Sequence, residues 1–187
     1  MILFVTFVIL FLILVNAFYV AAEFAAVSVR RNMIREMAEN GSRVAVHLLK
    51  ILENTKELDR YIAACQFGIT ISSLVLGAYG QVELAAYLFP LFERFGGMDS
   101  VMANSAAALV VLIGLTVFQV ILGELMPKSL ALQFPKQAAL YTYYPMRWTL
   151  AFFAWFIDFL NGSGLLLLKL FRLPPGGHQH IHSQQEI

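Results

Sequence analysis

The sequence predicts an all-α membrane protein: three transmembrane helices, short cytoplasmic helices, and an in-plane or re-entrant juxtamembrane helical belt. Three observations lead there. Of 187 residues, 59% are hydrophobic and 13% charged, and the mean hydropathy of +0.72 is too high for a soluble domain. The apolar runs are near-continuous, whereas the strands of a membrane barrel alternate in segments of about ten residues. Basic residues cluster between positions 30 and 60 and again from Lys128 onward, which assigns those stretches to the cytoplasmic side. A net charge of +1 offers nucleic acid no footprint. The single cysteine, Cys65, excludes an internal disulfide and a thiolate metal cluster.

Segment one, Ile2 to Val29 (ILFVTFVILFLILVNAFYVAAEFAAVSV), exceeds what a hydrocarbon core of about 30 Å requires. No Lys or Arg precedes it and it is too long for a signal peptide, so it reads as a retained helix. Arg30 to Arg60 is charged, and two short amphipathic helices fit on either side of Glu39–Ser42 (ENGS). The basic excess makes this stretch cytoplasmic and puts the N-terminus outside. Segment two runs from about Tyr61 to Phe92, FGGMDS at Phe95–Ser100 turns the chain outside, and segment three runs from about Val101 to Leu122. Hydropathy alone counts a fourth span over Tyr141–Phe171. Against it, Arg147, Lys169 and Arg172 put both ends on the basic side, and Asp158, Asn161, Gly162 and Gly164 interrupt it. Its halves, Trp148–Leu160 and Leu165–Phe171, are each too short to span, so a bent element resting on the other helices is expected. The tail is polar, and its alternating His178, His180 and His182 read first as a flexible connector and second as a weak metal site.

Polar residues inside apolar segments carry the functional signal, because a charge at the bilayer centre costs roughly 2.5–3.5 kcal/mol on insertion scales. In segment one, Asn16 and Glu23 share a face, flanked by Ala21, Ala22, Ala25 and Ala26. Glu23 reads either as a site residue or as a partner of Arg30. In segment two, GITISS places Ser72 and Ser73 in a run that serves helix packing or loosens the helix to expose carbonyls. In segment three, Thr116, Gln119 and Gly123 form a stripe. Pro127 lacks the N–H that Gly123 would bond and clashes with its carbonyl, which makes that carbonyl a candidate ligand. Glu124 reads as a ligand or as a helix-closing partner of Lys128. These groups are all oxygen donors, which suit hard cations and disfavour Zn²⁺ or Cu²⁺. No Ser/His pair, His-Glu-x-x-His or Asp pair supports an enzyme.

The stretches NAFYVAAEFAAVSVRR, LDRYIAACQFGITISSLVLG and ILGELMPKSLALQFP, in this order and spacing, resemble the transmembrane domain of the CorC/CNNM (cyclin M) magnesium transporters, closest to the bacterial hemolysin-like branch. The resemblance implies a transmembrane domain over residues 1–173, a polar connector over 174–187 cut before CBS domains, and a multi-pass homodimer in the plasma membrane. It implies Mg²⁺ export, proposed to exchange for Na⁺, with metal-site positions falling on Glu23, Ser72, Ser73, Gly123 and Glu124. Pro127 and Lys128 of the last motif are expected to be structural. Many members of the family carry Ser-Gly where this chain has Val20-Ala21, so a side-chain ligand from that turn is lost and backbone carbonyls would substitute. A non-transporting membrane scaffold or sensor is the rival reading.

Overall fold

The computed structural model describes residues 1–97 and 99–171. The three tail histidines and the 174–187 connector lie outside the described residues. Among the described residues, seven α-helices and one π-helical segment make up the fold: α1 (Ile2–Ser28), α2 (Arg31–Glu39), α3 (Arg43–Glu53), α4 (Thr55–Gly96), α5 (Ser100–Phe118), the π-helical Gln119–Leu125, α6 (Met126–Gln133) and α7 (Pro135–Leu170). Three helical runs are long and apolar enough to cross a membrane: Ile2–Ser28, Thr55–Arg94 and Ser100–Gln133. This is the three-span, all-α arrangement that the sequence predicts.

The joints follow local chemistry. Val29 turns extended after α1. Gly41, with φ of 89°, supplies the left-handed turn between α2 and α3. Ser42 caps α3 by accepting from the Ala45 N–H, and Asn54 caps α4 by accepting from Lys56 and Glu57. Asp99 caps α5 through the Met102 N–H at 2.8 Å. At about 63 Å, the 42-residue α4 is twice as long as the hydrocarbon core is thick. Its charged first turns, with Lys56, Glu57, Asp59 and Arg60, therefore project beyond the core.

Helix α1 packs along α4, and α4 packs along α5. The buried apolar residues form two clusters stacked along the bundle. One joins Val5, Ile9 and Ile13 of α1 to Leu76 and Ala85 of α4 and to Ala107, Val111 and Leu115 of α5. The other joins Ala22, Ala25 and Ala26 to Ile34, Leu48, Leu52, Ala64, Ala131, Met146 and Ile157, and so ties α2, α3, α6 and α7 to the spans. Small residues let the helices approach: a Cβ at Gly68 would lie 2.5 Å from the Tyr19 ring.

One open alternative falls and one expectation changes. The GITISS run does not unwind, because α4 is continuous through it: Thr70 and Ser72 return their hydroxyls to the Gln66 and Gly68 carbonyls, both at 2.8 Å, and the ladder stays intact. The last apolar region is not two short halves but one helix, α7, which runs through Gly162 and Gly164. It is not among the runs that meet the criterion for a span. Ala139, Tyr143, Met146 and Ile157 face the core, whereas Tyr141, Tyr144, Trp148, Phe152, Trp155 and Phe159 form an exposed stripe at helical spacing. Asp158, which the sequence suggests as an interruption, pairs with Arg60 of α4 at 2.9 Å.

Candidate functional site

A polar layer separates the two apolar clusters, and each spanning segment contributes to it. Asn16 of α1 is fully buried at its centre. Its side-chain nitrogen donates to the Gly123 carbonyl at 3.1 Å. Its Oδ1 accepts from Ser72 Oγ at 3.0 Å and from Ser73 Oγ at 3.1 Å. Gln119 donates from Nε2 to Ser73 Oγ. The chemistry fixes the amide orientation, since a carbonyl only accepts and must face the –NH₂ end.

The π-helical segment explains why Gly123 is free to take part. Pro127 has no N–H to bond the carbonyl four residues earlier, and an α-helical ladder would press its ring against that carbonyl. The chain instead widens by one residue between Gln119 and Leu125, and the Met126 N–H reaches back to the Ile121 carbonyl. The Gly123 carbonyl, released from the ladder, turns to Asn16. A Cβ at position 123 would stand 3.0 Å from Asn16 Nδ2, so glycine also sets how closely α1 approaches.

Ser72 has one hydroxyl hydrogen and three acceptors in reach: Asn16 Oδ1 at 3.0 Å, Gly68 O at 2.8 Å and Ile69 O at 3.1 Å. Rotation about one bond can therefore withdraw the proton from Asn16 without leaving it unpaired, and turn an oxygen lone pair into the layer.

Of the five positions expected to bind metal, Ser72, Ser73 and Gly123 come together in this layer, and Glu23 and Glu124 stand apart from it. Glu23 lies two turns further along α1, about 10 Å away by helical rise, half-buried, and accepts from Gln66 Nε2 at 3.5 Å. Glu124 is half-buried beside Gly123, and no hydrogen bond joins its carboxylate to the layer among the described residues. It forms no ion pair with Lys128, whose Nζ instead lies 4.6 Å from the centroid of the Phe24 ring. Thr116, on the same predicted stripe, faces outward and bonds the Leu112 carbonyl. Among the described residues, no three His, Cys, Asp or Glu side chains gather, so the layer is built from amide, hydroxyl and carbonyl oxygens.

Asn16 and Gln119 complete the layer. The sequence marks both as polar positions on the inner faces without assigning them to the site. The signal in the sequence was Asn16 itself, an amide in the middle of a 27-residue apolar helix, where an unpaired polar group is costly.

Residues 7–187 match the family described as the cyclin M transmembrane N-terminal domain. The chain is similar to the UPF0053 proteins YhdT of Bacillus subtilis (39% identical, covering 94% of this chain and 38% of that protein) and YrkA of the same organism (35%, covering 94% and 40%). A more distant similarity, 24% over 87% of this chain and 36% of the other, is to a protein of Haemophilus influenzae named polyamine export protein. The chain thus spans less than half the length of these curated relatives.

Proposed function

The chain belongs to the cyclin M transmembrane-domain family, and from that premise we propose that it moves a divalent metal cation, Mg²⁺, outward through the three-helix junction in exchange for Na⁺. The observation that carries this reading is the buried layer in which one side chain joins three spans, Asn16 holding Ser72 Oγ and Ser73 Oγ at its Oδ1 and the Gly123 carbonyl at its Nδ2. Mg²⁺ binds oxygens at about 2.0–2.1 Å in an octahedron, whose edges are then about 2.8–3.0 Å. The Asn16–Ser72 and Asn16–Ser73 oxygen separations of 3.0 and 3.1 Å lie close to that edge. A hydrogen bond imposes nearly the same spacing, so once the serine protons turn away a cation can draw on Asn16 Oδ1 and the two hydroxyl oxygens with little change in the distances among those three oxygens.

These ligands are neutral, so Glu124 and Glu23 supply the charge. At an effective dielectric of about 20, a carboxylate 10 Å from a dication contributes roughly 3 kcal/mol. In this reading the N-terminus is outside, residues 30–60 and the tail are cytoplasmic, and two copies form a homodimer.

The test is Mg²⁺ efflux from vesicles loaded with an indicator and reconstituted with the chain. Efflux is expected to fall at least tenfold, equivalent to about 1.4 kcal/mol, in Ser72→Ala and Glu124→Ala. If Glu124→Ala left efflux unchanged, the charge role would be wrong. If wild-type protein neither transported Mg²⁺ nor gained thermal stability saturably with it, the chain would be a scaffold or sensor.

A further inference from the structure

We infer that Asn16 is a latch on the cation site: its amide nitrogen and a bound cation make competing claims on the Gly123 carbonyl, so ion entry releases α1 from the π-helical segment. The inference rests on the cation-transport reading above, which counts only the oxygen of Asn16, and adds a role for its amide nitrogen. Four observations carry it. Asn16 is fully buried, so its amide has no water to turn to. Its nitrogen sits 3.1 Å from a carbonyl that Pro127 has taken out of the helical ladder. The same side chain holds both serine hydroxyls through Oδ1, which fixes its orientation. A Cβ on residue 123 would lie 3.0 Å from the amide nitrogen, so the contact has no slack.

The competition is electrostatic. A cation that gathers Gly123 O with Oδ1 and the serines lies where the –NH₂ hydrogens point, and the positive end of that dipole repels it. The hydrogen-bonded and cation-bound arrangements therefore exclude one another. Ser72 can adjust by rotating its proton onto Gly68 O at 2.8 Å. Asn16 cannot adjust by rotating a proton, so its amide must leave the carbonyl. This breaks a direct hydrogen bond between α1 and the π-helical segment and couples occupancy to helix packing. The residue type matters: aspartate brings the oxygen without the donor, and serine is too short to bridge.

The experiment is a Mg²⁺ titration of thermal stability in detergent at pH 9, comparing wild type, Asn16→Asp and Gly123→Ala. Asn16→Asp, ionised and without a donor, is expected to melt below wild type in the absence of Mg²⁺ and to reach half-saturation at about tenfold less Mg²⁺, equivalent to about 1.4 kcal/mol. Gly123→Ala changes no polar atom but presses on the amide, and is expected to move both quantities the same way by a smaller amount. It also decides between the two roles if the aspartate variant does not fold. If Mg²⁺ stabilises wild type but either folded variant shows the wild-type midpoint, the latch is overturned and Asn16 only holds helices together. If Mg²⁺ does not stabilise wild type at all, the transport reading fails instead.

Discussion

At the scale of single residues, close approach and polar pairing make opposite demands on the side chain, and two glycines of α4 separate them. A methyl group at Gly68 would meet the Tyr19 ring at 2.5 Å, whereas one at Gly77 meets nothing within 4 Å. Gly68→Ala is therefore expected to cost about 1–3 kcal/mol through overpacking, and Gly77→Ala to be neutral or to gain up to about 1 kcal/mol from helix propensity. Equal melting temperatures for the two variants would mean that α1 and α4 do not pack at Gly68 as described. Tyr19 also bonds Thr149 of α7 at 3.1 Å, so a displaced ring would disturb α7 as well. Much of this scale was legible in the sequence. Gly123 and Pro127 could be read as a pair because the missing N–H of proline is a covalent fact. The role of Asn16 was not, because an amide that organises a site and one that joins two helices look alike until the partner 107 residues away is known.

Among the elements, the π-helical segment and α7 carry the sharpest expectations. Pro127→Ala restores an N–H to the Gly123 carbonyl and removes the reason for the wide turn. The segment is expected to relax toward an α-helix and rotate α6 by up to about 100°, so the protein folds but loses the Mg²⁺-dependent rise in melting temperature. A variant that kept the full rise would show that the π turn is dispensable. For α7, the two tryptophans of the chain, Trp148 and Trp155, are exposed seven residues apart on one face. Single-tryptophan variants quenched by brominated lipids are expected to report the same shallow depth if α7 lies in the interface. A spanning helix would instead separate them by about 10 Å along the membrane normal. The break expected at Gly162–Gly164 did not occur, since α7 continues through both glycines: a glycine costs a helix interior only about 1 kcal/mol relative to alanine. GITISS stayed helical as well, with Thr70 and Ser72 bonding carbonyls of their own helix and Ser73 reaching across to Asn16.

Taken whole, the molecule is two apolar clusters with a polar seam between them. Hydropathy and the distribution of basic residues were enough to predict the spans and the amphipathic helices, since both report directly on solvent. The seam was only half visible, because convergence depends on the rotation of each helix about its own axis, and three of the five positions expected to bind metal meet there. The seam also bears on biogenesis. Serines 72 and 73 follow Asn16 by 56 and 57 residues, and Gly123 by 107. At about 5–20 residues per second of synthesis, the amide spends roughly three to eleven seconds before either serine is made, and about five to twenty before its carbonyl exists. A newborn first helix thus enters the bilayer with an unclaimed hydrogen-bonding group, and the second and third spans arrive as its successive escorts.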